Sequence, residues 1–277
     1  MMAARMRPLA VACGALAVAA ALCVAPARAG QSCEERPLSS GSLSDALATG
    51  QAVQTALNAS GSDIAIVGRQ GQDLSKYGLK YTHVGVAYRA DAKQPWRVYE
   101  LLNDCGTASS DLWIDGLANF FLADPFTLDA ILIVPPEKLR AKLAEHLRAP
   151  GVLRGLHETK YNMVAYPFST KYQNSNQWVL EVLAAAEASD VRIRSREQAQ
   201  AWLKMAGYQP TEMRIGPLTR LGGRIVKANV AFDDHPSALR FSDRINAVTV
   251  DSIVAFVRQR DEGWSFTEIK GRKPSAP

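Results

Sequence analysis

Histidine and cysteine are scarce in this sequence, four of each among 277 residues. His83, His146, His157 and His235 are scattered, and none stands at metal-ligand spacing with another. His157-Glu158 lacks the second histidine of a His-Glu-x-x-His site, which removes that class of zinc hydrolase. There is no Gly-rich phosphate loop and no Gly-x-Ser-x-Gly elbow, so nucleotide binding and the usual serine-hydrolase turn lose their sequence support. No metal and no cofactor is expected. Internal repeats and long linkers are absent as well. A hydrophobic fraction of 47% with 21% charged residues excludes a disordered, collagenous or low-complexity chain.

Only one long apolar run exists, residues 9–24, and it is shorter than the ~20 residues of a spanning helix. Arg5 and Arg7 precede it and Ala27-Arg28-Ala29 follows it. A basic start, a short apolar stretch and an Ala-x-Ala end make a secretory signal peptide, with cleavage expected after Ala29. The competing reading is an N-terminal membrane anchor. After cleavage the chain is expected in the periplasm or outside the cell, not integral to the membrane. The net charge is +5, but three arginines leave with residues 1–29. Removing them from 32 basic residues leaves 29 against 27 acidic ones, a net +2. No basic run lies along a helix, so nucleic acid is not an expected partner.

Cys13 and Cys23 leave with the same segment, and Cys33 and Cys105 remain. In an oxidising compartment a pair of cysteines is expected to form a disulfide. Two buried free thiols are the alternative.

Patterning predicts a mixed chain. Helices are expected over residues 42–58, 112–122, 136–147, 175–187 and 198–206, the last closed by Gly207. Strands are expected over 63–68, 81–89, 96–102, 128–134 and 224–232, with Gly-rich turns at Gly216, Gly222 and Gly223. An apolar segment of unassigned type runs over 247–257. Without regular βαβ alternation the class is α+β. One domain over residues 30–265 is expected, then a disordered tail over 266–277.

Two segments carry chemistry. The first is Tyr81-Thr82-His83-Val84-Gly85-Val86-Ala87-Tyr88, where strand alternation puts His83 on one face beside Gly85 and Ala87, with room for a ligand. The second is Gln173-Asn174-Ser175-Asn176-Gln177-Trp178, a polar turn entering a helix. Ser175 at a helix start has converging N–H groups that would stabilise a developing negative charge. Against these stand a histidine satisfied in the core, and a capping role for Asn174 or Ser175. Asp233-Asp234-His235-Pro236 could hold a cation but also reads as a turn.

The Asp-Ile strand ending near Arg69, the Thr82-His83-Val84-Gly85 strand and the later Asn174-Ser175 helix start resemble the circularly permuted NlpC-type papain-like fold. The resemblance covers residues 60–185 and implies a central antiparallel sheet packed on helices, with a C-terminal α/β extension over 190–260. It implies His83 as general base, Glu100 as the group orienting it, and Ser175 at the nucleophile, where that fold carries cysteine. Tyr81, Gln173, Asn174 and Gln177 border these positions as expected substrate-binding residues. A hydroxyl cannot be pre-ionised as a thiol is, so Ser175 would need His83 to take its proton during attack. Cys105, five residues past Glu100, is a less favoured nucleophile, since a disulfide would consume it.

Over the whole mature chain the sequence is similar to an exported bacterial family called domain of unknown function 2145. The segments that carry this are residues 72–79, Met163-Val164-Ala165-Tyr166-Pro167, Ser175-Asn176-Gln177-Trp178, Gly216-Pro217-Leu218-Thr219-Arg220 and Phe232-Asp233-Asp234-His235-Pro236. Two functions follow as expectations. One is a Ser-His hydrolase or acyltransferase acting on an amide or ester bond of cell-wall peptide or lipid. The other is a non-catalytic module binding a small molecule, peptide or lipid.

Overall fold

The computed structural model describes residues 39–122, 125–260 and 262–271. The expected signal peptide, Cys33 and residues 272–277 of the expected tail lie outside the described residues.

Helix α1 (Ser40–Ala59) starts at Ser39, whose hydroxyl accepts the Ser42 N–H at 3.0 Å. Strand β1 (Ile64–Gln70) follows and is buried along its whole length. Its sheet neighbours are β2 (His83–Tyr88) and β5 (Thr127–Val134), both antiparallel to it. β3 (Arg97–Asn103) and β4 (Ser110–Gly116) extend the sheet on one side, and β8 (Ser265–Ile269) on the other. The order is β4-β3-β2-β1-β5-β8, with every pairing antiparallel. The fold class is α+β.

Both faces of the sheet are covered, which is why β1 and β2 read as nearly continuous apolar runs. Ile64, Ile66, Val84, Val86, Ile131 and Ile133 share a core with α3 (Glu137–Leu147), α5 (Ser175–Glu187) and α9 (Val250–Arg260). Ala65, Val67, Ala87, Val98 and Leu132 face α1 and α2 (Leu117–Leu122), from which Phe120 and Phe121 descend. α4 (Pro150–Gly155) and α6 (Arg196–Met205) complete the first layer. A small third core joins Leu79 and Phe232 to a separate two-stranded sheet of β6 (Thr211–Arg214) and β7 (Arg244–Ala247). α7 (Pro217–Val226) and α8 (Ser237–Arg240) lie between those two strands in the chain.

Four expectations need correction. Residues 112–116, read as the start of a helix, are β4. Their alternation of Asp111, Trp113 and Asp115 with Leu112 and Ile114 is a strand period, and pairing with β3 from Ser110 to Gly116 overrides the helical spacing that continues into α2. Residues 216–226, read as turns entering a strand, are α7, with Gly222 and Gly223 inside it. Each glycine there costs about 1 kcal/mol against alanine. The helix is anchored by buried Arg220, which donates to the carbonyls of Ile215 at 2.8 Å, Arg240 at 3.0 Å and Arg244 at 2.9 Å. The ordered fold passes residue 265, where the domain was expected to end: β8 pairs with β5 through Ile269. The charged helix residues around His146 predict a solvated side chain; it is instead half-buried, and burial holds its pKa below the usual histidine value.

Candidate functional site

His83 opens β2, and Glu100 is the fourth residue of β3. Their side chains meet at 2.6 Å, His83 Nε2 to Glu100 Oε2, and both are buried. Gly85 is what permits this approach. A Cβ there would lie 2.5 Å from Val98 Cγ1 and 3.3 Å from Glu100 Cβ. The space beside His83 that the sequence left for a ligand is therefore taken up by β3 and by Phe120, whose ring centroid is 5.7 Å from the imidazole.

Burial lowers the His83 pKa; the Glu100 hydrogen bond opposes this and the Arg69 charge reinforces it. A neutral ring that donates Nε2–H to a carboxylate has its lone pair on Nδ1, and among the described residues no group hydrogen-bonds that atom. Arg69, facing His83 across the β1–β2 pair, places its guanidinium 5.3 Å from the Phe120 ring.

Ser175 is the first residue of α5. The cap is Asn174, whose Oδ1 accepts the Gln177 N–H at 2.8 Å. The Ser175 hydroxyl is thus not spent on capping. Its partner is Tyr161 Oη at 3.4 Å, and the Ser175 backbone N–H acts on the same phenol oxygen. Burial pushes the Tyr161 pKa up, so the phenol stays protonated and can donate. Arg69 acts electrostatically on both Tyr161 and His83. No hydrogen bond joins Ser175 to His83. His83 faces the α2 side of the sheet, whereas α5 packs on the opposite side.

Asn176 connects the two. β3 pairs with β2 only at Val86, Ala87 and Tyr88, leaving the first three residues of β2 without that neighbour. Asn176 enters the gap: its Oδ1 accepts the Val84 N–H at 3.1 Å, and its Nδ2 donates to Thr82 O at 3.2 Å. The start of α5 is thereby bound to the backbone on both sides of His83.

Beneath it lies a polar cluster around Glu181, which is completely buried. Arg196 donates to both its oxygens, Nε to Oε2 at 2.9 Å and Nη2 to Oε1 at 3.2 Å. Gln173, Gln177 and Gln200 add amide donors at 2.6, 3.1 and 2.9 Å. Burial pushes the Glu181 carboxyl up while Arg196 and the amides pull it down. Arg196 also donates to Thr170 O and Tyr172 O, both at 3.0 Å, which fixes the loop ahead of α5.

Of the expected substrate-binding residues, Gln173 and Gln177 are buried against Glu181, Asn174 is the cap, and Tyr81 is buried with its hydroxyl 3.4 Å from Ala130 O. Cys105 lies in the β3–β4 connection, and its expected partner Cys33 is outside the described residues. His235 is buried, with Nδ1 3.0 Å from Asp234 Oδ1 and Nε2 3.0 Å from Asn246 O. Among the described residues no group of three His, Cys, Asp or Glu is placed to hold a metal ion. A cavity of about 390 Å³ lies between α3, α5 and α9, lined by residues including Lys142, Glu187, Arg260 and Trp264, and no candidate site residue lines it.

Tyr161, Asn176 and the Glu181–Arg196 pair carry no sequence signal of their role. Tyr161 sits in an irregular loop, and Asn176 looks like one more polar residue at a helix start.

Residues 56–257, well over half of the chain, match the family model described as "Uncharacterized protein conserved in bacteria (DUF2145)". The chain belongs to this family. The match spans His83, Glu100, Tyr161, Ser175 and Asn176, so every element of the site lies within the DUF2145 region. No curated protein matches the chain, and no solved structure does. No helix among the described residues is long and apolar enough to cross a membrane.

Proposed function

We propose that this DUF2145 protein is an exported hydrolase or acyltransferase acting on an amide or ester bond of cell-wall peptide or lipid. The observation that carries the reading is the buried 2.6 Å contact of His83 with Glu100, which leaves Nδ1 as the ring's open acceptor. Ser175 is the nucleophile, at a helix start whose cap is supplied by its neighbour. His83 takes the Ser175 proton as Oγ bonds to the carbonyl carbon. The Ser175 N–H and the Tyr161 hydroxyl, which meet at the start of α5, are the donors this reading assigns to the oxyanion. On collapse the leaving amine or alcohol receives the proton from His83. Water then releases the acyl group in a hydrolase, and an acceptor hydroxyl or amine takes it in an acyltransferase. The step requires more than a turn of the Ser175 hydroxyl away from Tyr161. His83 faces the α2 side of the sheet and α5 packs on the other, so the start of α5 must move against the start of β2 to bring Oγ to the ring.

That requirement also supports a second reading. With its hydroxyl held by Tyr161 rather than His83, the scaffold would bind a peptide or lipid without chemistry. Fluorophosphonate labelling of the purified mature protein separates the two. Labelling that vanishes in Ser175→Ala and in His83→Ala, with the thermal melt unchanged, is the expected result. Absence of labelling in the wild type rejects the hydrolase and leaves the binding module.

A further inference from the structure

β4 is the edge strand of the sheet, covered at its start by residues 159–161 and open beyond it. The Ser110 N–H points away from β3, donating to Thr159 O at 2.8 Å. Strand alternation turns the N–H and C=O of Ile114 the same way, and in the sheet order no strand lies beyond β4. Natural edges of this kind are guarded by lysine, proline or a bulge. β4 has none of these; residues 159–161 cover only its start. Asp111 Oδ1 accepts the outward Leu112 N–H at 2.7 Å, so the Leu112 C=O and the N–H and C=O of Ile114 are the outward groups left for an added strand. It presents Trp113, 50% exposed, and Ile114, 56% exposed.

The charges beside them have one sign. Asp111 and Asp115 stand two residues either side of Trp113 and share its face. Among the described residues neither forms a salt bridge with Lys or Arg. Trp113 also pairs in register with Glu100, so this face continues that of the His83–Glu100 contact, one strand farther out. A second copy suits the edge poorly: antiparallel self-pairing centred on Trp113 would set Asp111 of one chain opposite Asp115 of the other.

We propose that the β4 edge takes up an extended cationic peptide as an added strand, with Lys or Arg side chains over Trp113 and between Asp111 and Asp115. Backbone pairing supplies affinity, while the aromatic face and the two carboxylates select positive charge. The proposal does not depend on Ser175 being a nucleophile.

Fluorescence anisotropy with a labelled Lys-Val-Lys-Val-Lys-Val-Lys peptide tests it. Binding is expected to weaken about fivefold or more in Trp113→Ala and in the Asp111→Asn/Asp115→Asn double variant, with unchanged melts. The Glu-Val counterpart should bind at least about tenfold more weakly. N-methylation of the Lys set or of the Val set should abolish binding in one case only, because alternate N–H groups face β4. Ser175→Ala should bind like wild type. Equal binding of the Glu peptide, indifference to Trp113→Ala, or no binding at about 1 mM peptide overturns the proposal. So does a wild-type dimer in sedimentation that Ile114→Lys dissociates, since the occupant would then be a second copy.

Discussion

Asn176 does for Val84 what a neighbouring strand would do. Its Oδ1 accepts the Val84 N–H at 3.1 Å and its Nδ2 donates to Thr82 O at 3.2 Å, in the gap where β3 has left β2. One amide thus satisfies the strand edge and fixes the Ser175 end of α5 against the His83 end of β2.

Removing that amide leaves a buried N–H without a partner. Asn176→Ala is expected to cost about 2 kcal/mol in urea unfolding, in the range for an orphaned buried donor. Asn176→Asp keeps the acceptor for Val84 but puts a carboxylate oxygen against Thr82 O, so it should not restore wild-type stability. Fluorophosphonate labelling should fall in both variants, since Ser175 loses its tie to β2.

The His83 pKa is held below its ordinary value near 6.5, chiefly by burial. The unfolded chain therefore takes up a proton that the folded chain refuses, in the window from the unfolded value down to the folded one. Stability must fall as pH drops through that window, by up to about 1.4 kcal/mol per pH unit from this one group. His146 and His157 are shifted in the same direction and add to the slope. Urea unfolding of wild type and His83→Gln at pH 7.5 and 5.5 isolates the His83 share. The variant should lose less on acidification, and equal losses would contradict the assignment.

The sheet's centre was legible because Ile64 to Val67 and Val84 to Tyr88 are apolar runs that only a covered strand satisfies. Glu100 was reached only through the papain-like resemblance, since its residue type and its place in a strand do not name its partner. Residues 112–116 were not, because Leu112, Leu117 and Phe121 also fit a helical spacing and only pairing with β3 decides between them. α7 was hidden by Gly222 and Gly223. Its anchor is Arg220 donating to carbonyls 5 to 24 residues away, which local pattern does not report. Asn176 was hidden by its position, since a polar residue in the first turn of a helix ordinarily needs no distant partner.

If the chain is exported as proposed, Cys33 and Cys105 should pair. Closing a loop of this length stabilises by about 4 kcal/mol in the chain-entropy model. Alkylation of the native mature protein before and after reduction, read by mass, should add two labels only after reduction. Two labels before reduction would show free thiols and return Cys105 to consideration as a reactive group.

Arg196 and Glu181, like Asn176, form a contact whose loss should affect both stability and the site. The pair is buried and bidentate, and Arg196 also holds the carbonyls of Thr170 and Tyr172. Arg196→Ala leaves Glu181 facing three amides without its cation, and should cost about 3–5 kcal/mol in thermal or urea unfolding. Arg196→Lys keeps the charge but not the fork, so it should fall between alanine and wild type. Glu181→Leu with Arg196→Met removes both charges and should recover stability relative to Arg196→Ala, because no buried ion is left unpaired. It should not recover labelling at Ser175. The loop carrying Tyr172 and Gln173 would still lack its Arg196 anchors, and that loop sets where α5 begins.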